Sequence, residues 1–492
     1  MYKVKYISLL IVVLFTTACS DFLDEELKGD YTSKTFYKTQ ADAIGSVNGV
    51  YEILAFSDVA NNLWVFGDVA SDDAIKGGNS GDQTDIKYVD EFNVNPDNGA
   101  VENIWKHYFE GINRANNTIH YVPQINMDEV LRDRIVAEGK FLRAYFYFNL
   151  VNIFGEIPLK IKPAFTPDDL QVALSPVEDI YDQIETDLKD AIEDLPVSYP
   201  HAEVGRITKG AALGLLAKTY IYREKWQDAL NKIEDIEKLG LYQLMPLYRN
   251  NFELAGENNR ESIFEIQHLN EQEQAMGSYL NQWFSPQLVS GYFFNAPTQD
   301  IVNEFEVRSG VCDPRLDYSI GREGGKWLNG EEFDPSWSAT GYLTKKHCQP
   351  LADVRSIGDG GLNYTYMRYA DVLLMKAEAL NELDRSDKAL VPLNQIRKRA
   401  RESYLYDENL EGYGSIPDKL LENVTTINQN ELRVSIRHER RVELNFEFHR
   451  FFDLMRYGKQ AAEAALKDKD FNYENDRYFP IPQSELDTNK AI

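Results

Sequence analysis

"AALGLLAKTYIYREKWQDALNKIEDI" (211–236) and "ADVLLMKAEALNELDRSDKALVPLNQI" (370–396) carry one pattern of small and aliphatic residues, 160 positions apart. Ala217 precedes Ala229 by twelve residues, as Ala377 precedes Ala389, and Leu230, Ile233 and Ile236 are matched by Leu390, Leu393 and Ile396. Apolar residues at three- and four-residue steps form one face of a helix, so each stretch reads as two short antiparallel helices. Paired alanines let the two backbones approach closely, which is the packing of tetratricopeptide-type repeats. The repeat predicts a mainly α fold, a tetratricopeptide-like helical-hairpin scaffold with hairpins at about 205–238 and about 367–400.

Helical spacing extends to both sides of these hairpins. "VENIWKHYFEGINRANNTIHYV" places Ile104, Tyr108, Ile112 and Ala115 on one face, and "RIVAEGKFLRAYFYFNLVNIFG" does so through Ile135, Phe141, Tyr145 and Phe148. In "SPVEDIYDQIETDLKDAIEDL", Ser175 reads as the N-cap and Pro176 as the first helical residue. The final charged stretch offers Arg440 to Glu443, Glu447 to Arg450, Arg450 to Asp453 and Asp453 to Arg456 at helical steps. Such a ladder reads as an exposed structural face whose pairs contribute about 0.2–0.5 kcal/mol each.

Two regions lack this periodicity. "DVASDDAIKGGNSGDQTD" is Gly- and Asp-rich and predicts a loop. Residues 241–364 are rich in Gly, Asn, Asp, Pro and aromatics, and predict a large irregular lobe of the kind in which binding surfaces lie on a rigid scaffold. The expected organisation is therefore 1–18 as a signal peptide, 19–240 as an N-terminal helical part, 241–364 as the lobe, and 365–492 as the second hairpin with a helical C-terminal region.

The signal peptide reads from Lys3 and Lys5, an apolar run from Tyr6 to Phe15, and the small residues Thr16, Thr17 and Ala18 ahead of Cys19. A run that short falls well below the roughly 20 residues a spanning helix needs. A cysteine directly after Ala18 is the arrangement of bacterial lipoprotein processing, although Thr16 stands where an aliphatic residue is usual; the alternative is an ordinary secreted chain. Acylation of Cys19 with two or more chains would anchor the protein stably to a membrane surface.

Composition narrows the function classes. The formal charge is −27, with 79 acidic residues, and becomes two units more negative once Lys3 and Lys5 are removed. This argues against phosphate backbones, so nucleic acid is not an expected partner. Cys312 and Cys348 could pair or stay free, and no CxxC is present. No HExxH, GxSxG or complete EF-hand occurs, and "GREGGKW" puts Trp327 where a phosphate loop needs Ser or Thr. Asp72, Asp73, Asp82 and Asp85 could hold calcium but read more simply as a solvated acidic loop, and His438 and His449 share a helix face without a metal motif. No cofactor, metal or catalytic residue is expected.

Eight segments in order resemble the SusD/RagB family of surface lipoproteins in Bacteroidetes glycan uptake. They are "CSDFLDEE" (19–26), "GDVASDDA" (67–74), "INRANNTI" (112–119), "AEGKFLRAYFYFNLVNIFGEIPL" (137–159), "GRITKGAALGLLAKTYIYREKWQDAL" (205–230), "MRYADVLLMKAEALNEL" (367–383), "RHERRVELNFEFHRFFDLMRYGK" (437–459) and "YFPIPQSELDTN" (478–489). The resemblance implies lipidation at Cys19 and export to the outer face of the outer membrane, signalled by Asp21, Asp24, Glu25 and Glu26. It implies a non-catalytic protein that captures oligosaccharides as the lid of a SusC-type TonB-dependent transporter. Peptide cargo, as for RagB, and a surface glycoside hydrolase are the alternatives. The family motifs transfer no ligand contacts, so the candidates come from sugar chemistry, which calls for aromatic platforms beside polar groups. They are Trp64, Asp72, Asp73, Trp283, Tyr292, Trp327, Trp337 and Tyr342, with Trp105 and Trp226 assigned to the core.

Overall fold

The computed structural model describes residues 36–55, 62–270, 277–350 and 360–492. The expected signal peptide, Cys19 and the acidic run after it lie outside the described residues.

Ten helices make the scaffold: α1 (Gln40–Ala55), α2 (Gly99–Tyr121), α3 (Glu129–Phe154), α4 (Val177–Asp194), α5 (Lys209–Tyr222), α6 (Trp226–Lys238), α7 (Tyr369–Glu382), α8 (Ser386–Tyr406), α9 (Gln429–Glu443) and α10 (Arg450–Tyr457). Each of α2 to α6 packs on the next, α7 packs on α6, and α8 and α9 pack on α7. The repeated stretches are the hairpins α5/α6 and α7/α8. Ala217, Ala229, Ala377 and Ala389 are all fully buried between their helices. Thr208 starts α5, its hydroxyl accepting from Ala211 N at 3.1 Å. Among the described residues no helix is long and apolar enough to cross a membrane.

The start of α4 differs by one residue from the sequence expectation. Ser175 is paired with Ile157 in a short strand, so Pro176 takes the extended capping position and Val177 opens the helix.

The region between the hairpins folds back on the scaffold through two antiparallel ribbons. Strand β1 (Ala74–Gly77) pairs with β3 (Phe294–Pro297), Ala74 opposite Pro297, which ties the early loop to the lobe. Strand β2 (Ser262–Ile266) pairs with β4 (Tyr364–Arg368), Arg368 opposite Ser262, which closes the lobe at its base. The early segment expected to be a loop thus contains β1 and is entered through a π-helical turn at Val65–Val69. A Cβ on Gly67 would lie 2.2 Å from the Phe448 carbonyl oxygen, so only glycine allows this turn to reach the 446–448 bend.

The charged ladder of α9 and α10 is scaffold, but its pairs are buried and tertiary. Glu443, fully buried, receives Arg315 at 2.9 Å, Arg368 at 2.6 Å and Arg399. Glu447 receives Arg368 and Lys346, each at 2.8 Å. Arg440 joins Asp371 at 2.5 Å and Asp453 at 2.7 Å. Of the four ladder steps expected from spacing, only Asp453 to Arg456 forms, at 2.8 Å. The others look away along separate rows because each side chain answers a different element. Arg315 belongs to the lobe, Arg368 to β4, Arg399 to α8 and Asp371 to α7, so the helix holds lobe and scaffold together.

Candidate functional site

Two segments of the lobe meet to form a cleft of about 560 Å³. One contributes Gln287, Leu288 and Phe293, the other Ser336, Trp337 and Ser338. The first segment is a doubled-back turn fixed by its backbone. Gly291 N donates to Pro286 O, Tyr292 N to Gln282 O and Phe293 N to Ser285 O, at 2.8–3.0 Å. Ser290 (φ 64°) and Phe293 (φ 44°) take left-handed conformations to make the reversal. That geometry leaves Leu288 65% exposed.

The second segment is a short 3-10 turn, Pro335–Trp337, started by Asp334, whose carboxylate accepts from Ser336 N at 2.9 Å. Its hydrogen bond to the turn holds the Asp334 carboxyl below its ordinary value. Trp337, half-buried, stands edge-on to Phe333 with centroids 5.2 Å apart, and Phe333 lies 6.1 Å from Trp327. The platform is therefore backed by two buried rings, which restrict its rotamers before any ligand arrives.

Next to the cleft, aromatic rings descend from solvent to core. Tyr292 is 44% exposed and lies 5.8 Å from the half-buried Trp283; Trp283 lies 5.5 Å from Phe294, and Phe294 6.2 Å from the fully buried Trp64. These spacings fit offset and tilted ring contacts.

The structure thus separates the sequence candidates. It brings Trp337, Tyr292 and Trp283 to the cleft or its margin. Trp64 is a correction: with no exposed surface and Phe284 and Phe294 against it, it packs the core. Trp327 is another, buried behind Phe333 as support for Trp337 and not as a platform. Tyr342 is half-buried away from the cleft, its hydroxyl donating to Gln299 Oε1 at 2.6 Å.

Asp72 and Asp73 are corrected as well. Arg450 grips Asp72 through two hydrogen bonds of 2.8 Å, and Arg441 reaches Asp72 at 2.9 Å and Asp73 at 2.7 Å. Burial raises the Asp72 carboxyl, but Arg450 and Arg441 outweigh it and hold the group below its ordinary value; burial wins at Asp73, which is raised. Both carboxylates are consumed in joining the early segment to α9 and α10. The other early acids go elsewhere: Asp82, for instance, accepts from Asn79 Nδ2 at 3.0 Å.

Cys312 and Cys348 are free thiols, the second buried and pushed up to about 12 by desolvation. His449 is buried 3.2 Å from Lys218 Nζ, while His438 bonds the Glu304 carbonyl, so the two histidines face different partners. Trp105 packs in the core and Trp226, half-buried, packs against it.

A further cleft, of about 610 Å³, lies on the scaffold between Phe154, Val177, Arg477 and Tyr478. Its charged residues are partly engaged, Glu178 by Arg223 at 2.6 Å and Arg477 by the Tyr478 hydroxyl at 2.9 Å, and it borders none of the sequence candidates.

Comparison with known proteins places this architecture. Residues 260–492 match the family model described as the SusD family, and residues 21–221 match one described as starch-binding associating with outer membrane. The chain belongs to the SusD/RagB family. SusD-like protein P2 of Formosa agariphila is 26% identical over 100% of this chain and 98% of its own length. Among solved structures, a laminarin-binding SusD-like protein superposes with a TM-score of 0.76 at 28% identity, covering 92% of this chain and 98% of that one. Surface glycan-binding protein A from Bacteroides fluxus gives 0.74 at 25% identity, covering 92% and 98%. The hairpin scaffold and the late charged helix lie in segments that carried the resemblance in the sequence. The family match over 260–492 spans the cleft, but none of those segments does, and its Gln287, Leu288, Phe293, Ser336 and Ser338 were missed in the sequence. Only Phe293, inside an aromatic-rich stretch, left any mark there.

Proposed function

We propose that the protein is a non-catalytic, cell-surface glycan-binding lipoprotein that captures oligosaccharides in the lobe cleft and passes them to a SusC-type TonB-dependent transporter as its lid. In this reading Cys19 carries the lipid, the outer membrane holds the anchor, and the chain faces the exterior. The cleft is the observation that carries the proposal: Trp337 and Phe293 offer ring faces to the C–H side of a pyranose, with the Gln287 amide and the Ser336 and Ser338 hydroxyls beside them for its rim. The SusD-like relatives, among them a laminarin-binding protein and a surface glycan-binding protein, support the same class of ligand. An arrangement of rings, amide and hydroxyls binds sugars but offers no acid and base pair to cleave them.

Affinity electrophoresis of the full-length protein in detergent against plant, host and microbial polysaccharides tests this. Retention by a glycan without release of reducing ends is expected. Binding of peptides that no sugar competes would replace the cargo, and turnover would replace the whole reading.

A further inference from the structure

The cleft is assembled from parts of the chain that carry no acidic or basic side chain. Residues 279–299 contain no Asp, Glu, Lys, Arg or His, and neither do residues 335–344, in a chain that is 27% charged. Burial does not explain the absence, because Gln287, Leu288, Ser290, Tyr292, Ser336 and Ala339 are all exposed, and exposed loops ordinarily carry charge. Aliphatic, aromatic, amide and hydroxyl groups make up the whole described lining.

Several charges of the described lobe are already engaged. Asp334 caps the turn through Ser336 N. Of the lobe's cations, Arg322 bonds Asp317 at 2.9 Å, Lys345 bonds the Asp317 carbonyl at 2.7 Å, and Lys346 is buried against Glu447. Lys326 sits on a neighbouring turn, where its backbone pairs with that of Glu332, and does not line the cleft. A carboxylate or sulfate placed in the cleft would lose water without gaining a counter-charge, and the chain's charge of −27 would oppose its approach.

We propose that the cleft selects neutral glycans and rejects those bearing uronates or sulfates. The inference rests on the glycan-capture reading above and narrows its substrate class. A neutral pyranose lays its apolar face on Trp337, Phe293 and Leu288 and exchanges hydroxyl hydrogen bonds with Gln287, Ser336 and Ser338, with no formal charge to desolvate on either side.

The test is calorimetry and affinity electrophoresis of the full-length protein in detergent. Laminarin, starch and galactomannan serve as neutral probes, polygalacturonate, alginate and chondroitin sulfate as anionic ones, each at about 20 mM and about 500 mM NaCl. The expected result is retention by at least one neutral polysaccharide and by no anionic one, with affinity changing less than about twofold between the two salts. Trp337→Ala, and independently the more exposed Leu288→Ala, should weaken that binding, the first by about tenfold or more, with far-UV circular dichroism unchanged. An anionic glycan whose binding Trp337→Ala removes would overturn the neutral-ligand inference and leave glycan capture standing. Retention by neither class would overturn both. Neutral binding that survives both substitutions would overturn the inference by placing recognition outside this cleft.

Discussion

The α9–α10 region and the lobe cleft use charge in opposite ways. From Glu439 to Arg456 nearly every ionisable side chain is buried and paired with a distant element, whereas the cleft presents an uncharged surface to solvent. A buried ion pair gains little net energy over a well-packed apolar substitute, but loses a great deal when one partner is removed. It therefore acts as a register mark, rejecting any docking of lobe on scaffold that leaves Glu443 or Arg368 alone. The cleft carries no such constraint and can be matched to a ligand by shape, rings and hydroxyls.

The largest expected effect follows from this contrast. Glu443→Ala leaves Arg315, Arg368 and Arg399 buried around a missing anion and should cost about 3–5 kcal/mol, read by urea or thermal unfolding. A loss below about 1 kcal/mol would show that water reaches this cluster and that the contrast is overstated. Trp337→Ala should do the reverse. Its half-exposed ring contributes modestly to stability, so unfolding shifts by about 1 kcal/mol or less while glycan affinity falls about tenfold or more.

Acidification sharpens the same comparison. Burial pushes His347 down to about 4 and His449 down to about 3 from an ordinary 6.5, so both are neutral when folded. The unfolded chain takes up protons that the folded one refuses, and stability therefore falls as pH drops below about 6.5. Burial would raise Glu447 and Asp453, but Arg368 and Lys346 at the first, and Arg440 and Arg456 at the second, hold each down to about 2. Their contribution is present above the ordinary carboxylate range and is lost between about pH 4.5 and 2. Thermal melts across this range should show both phases. Glycan affinity, measured wherever the protein remains folded, should stay flat, because nothing in the described lining of the cleft titrates in this range; a bell-shaped profile would place an ionisable group in the site.

What the sequence disclosed follows the physics of each feature. The hairpins were legible because helix packing writes itself as period: Ala217 and Ala229, Ala377 and Ala389, sit where backbones touch. Depth is not written that way. Trp64 and Trp337 are the same residue type in aperiodic segments, yet one lies fully buried under Phe284 and Phe294 and the other half-buried in the wall of the cleft. Asp72 and Asp73 read as loop acids because Arg441 and Arg450, more than 360 positions away, are what bury them. The β1–β3 pairing joins four-residue strands across some 220 positions, too short and too distant for any pattern. Leu288 was invisible for the opposite reason, since an aliphatic side chain in a loop is ordinarily packed, and only the turn around Gly291 turns it outward.

The smallest effect separates spacing from depth. Lys87 and Glu91 form an i,i+4 pair at 3.2 Å with both side chains about half exposed, and Asp453 and Arg456 form an i,i+3 pair at 2.8 Å in the interior. In sequence the two are equivalent ladder steps. Glu91→Ala should change stability by less than about 0.5 kcal/mol, and salt should remove even that, since water and counter-ions already screen the pair. Asp453→Ala should cost several-fold more and respond little to salt, because it strands Arg440 and Arg456 away from water. Equal losses at the two sites would mean that helical spacing alone sets the energy of these pairs, and the distinction between a charged framework and an uncharged cleft would lose its physical basis.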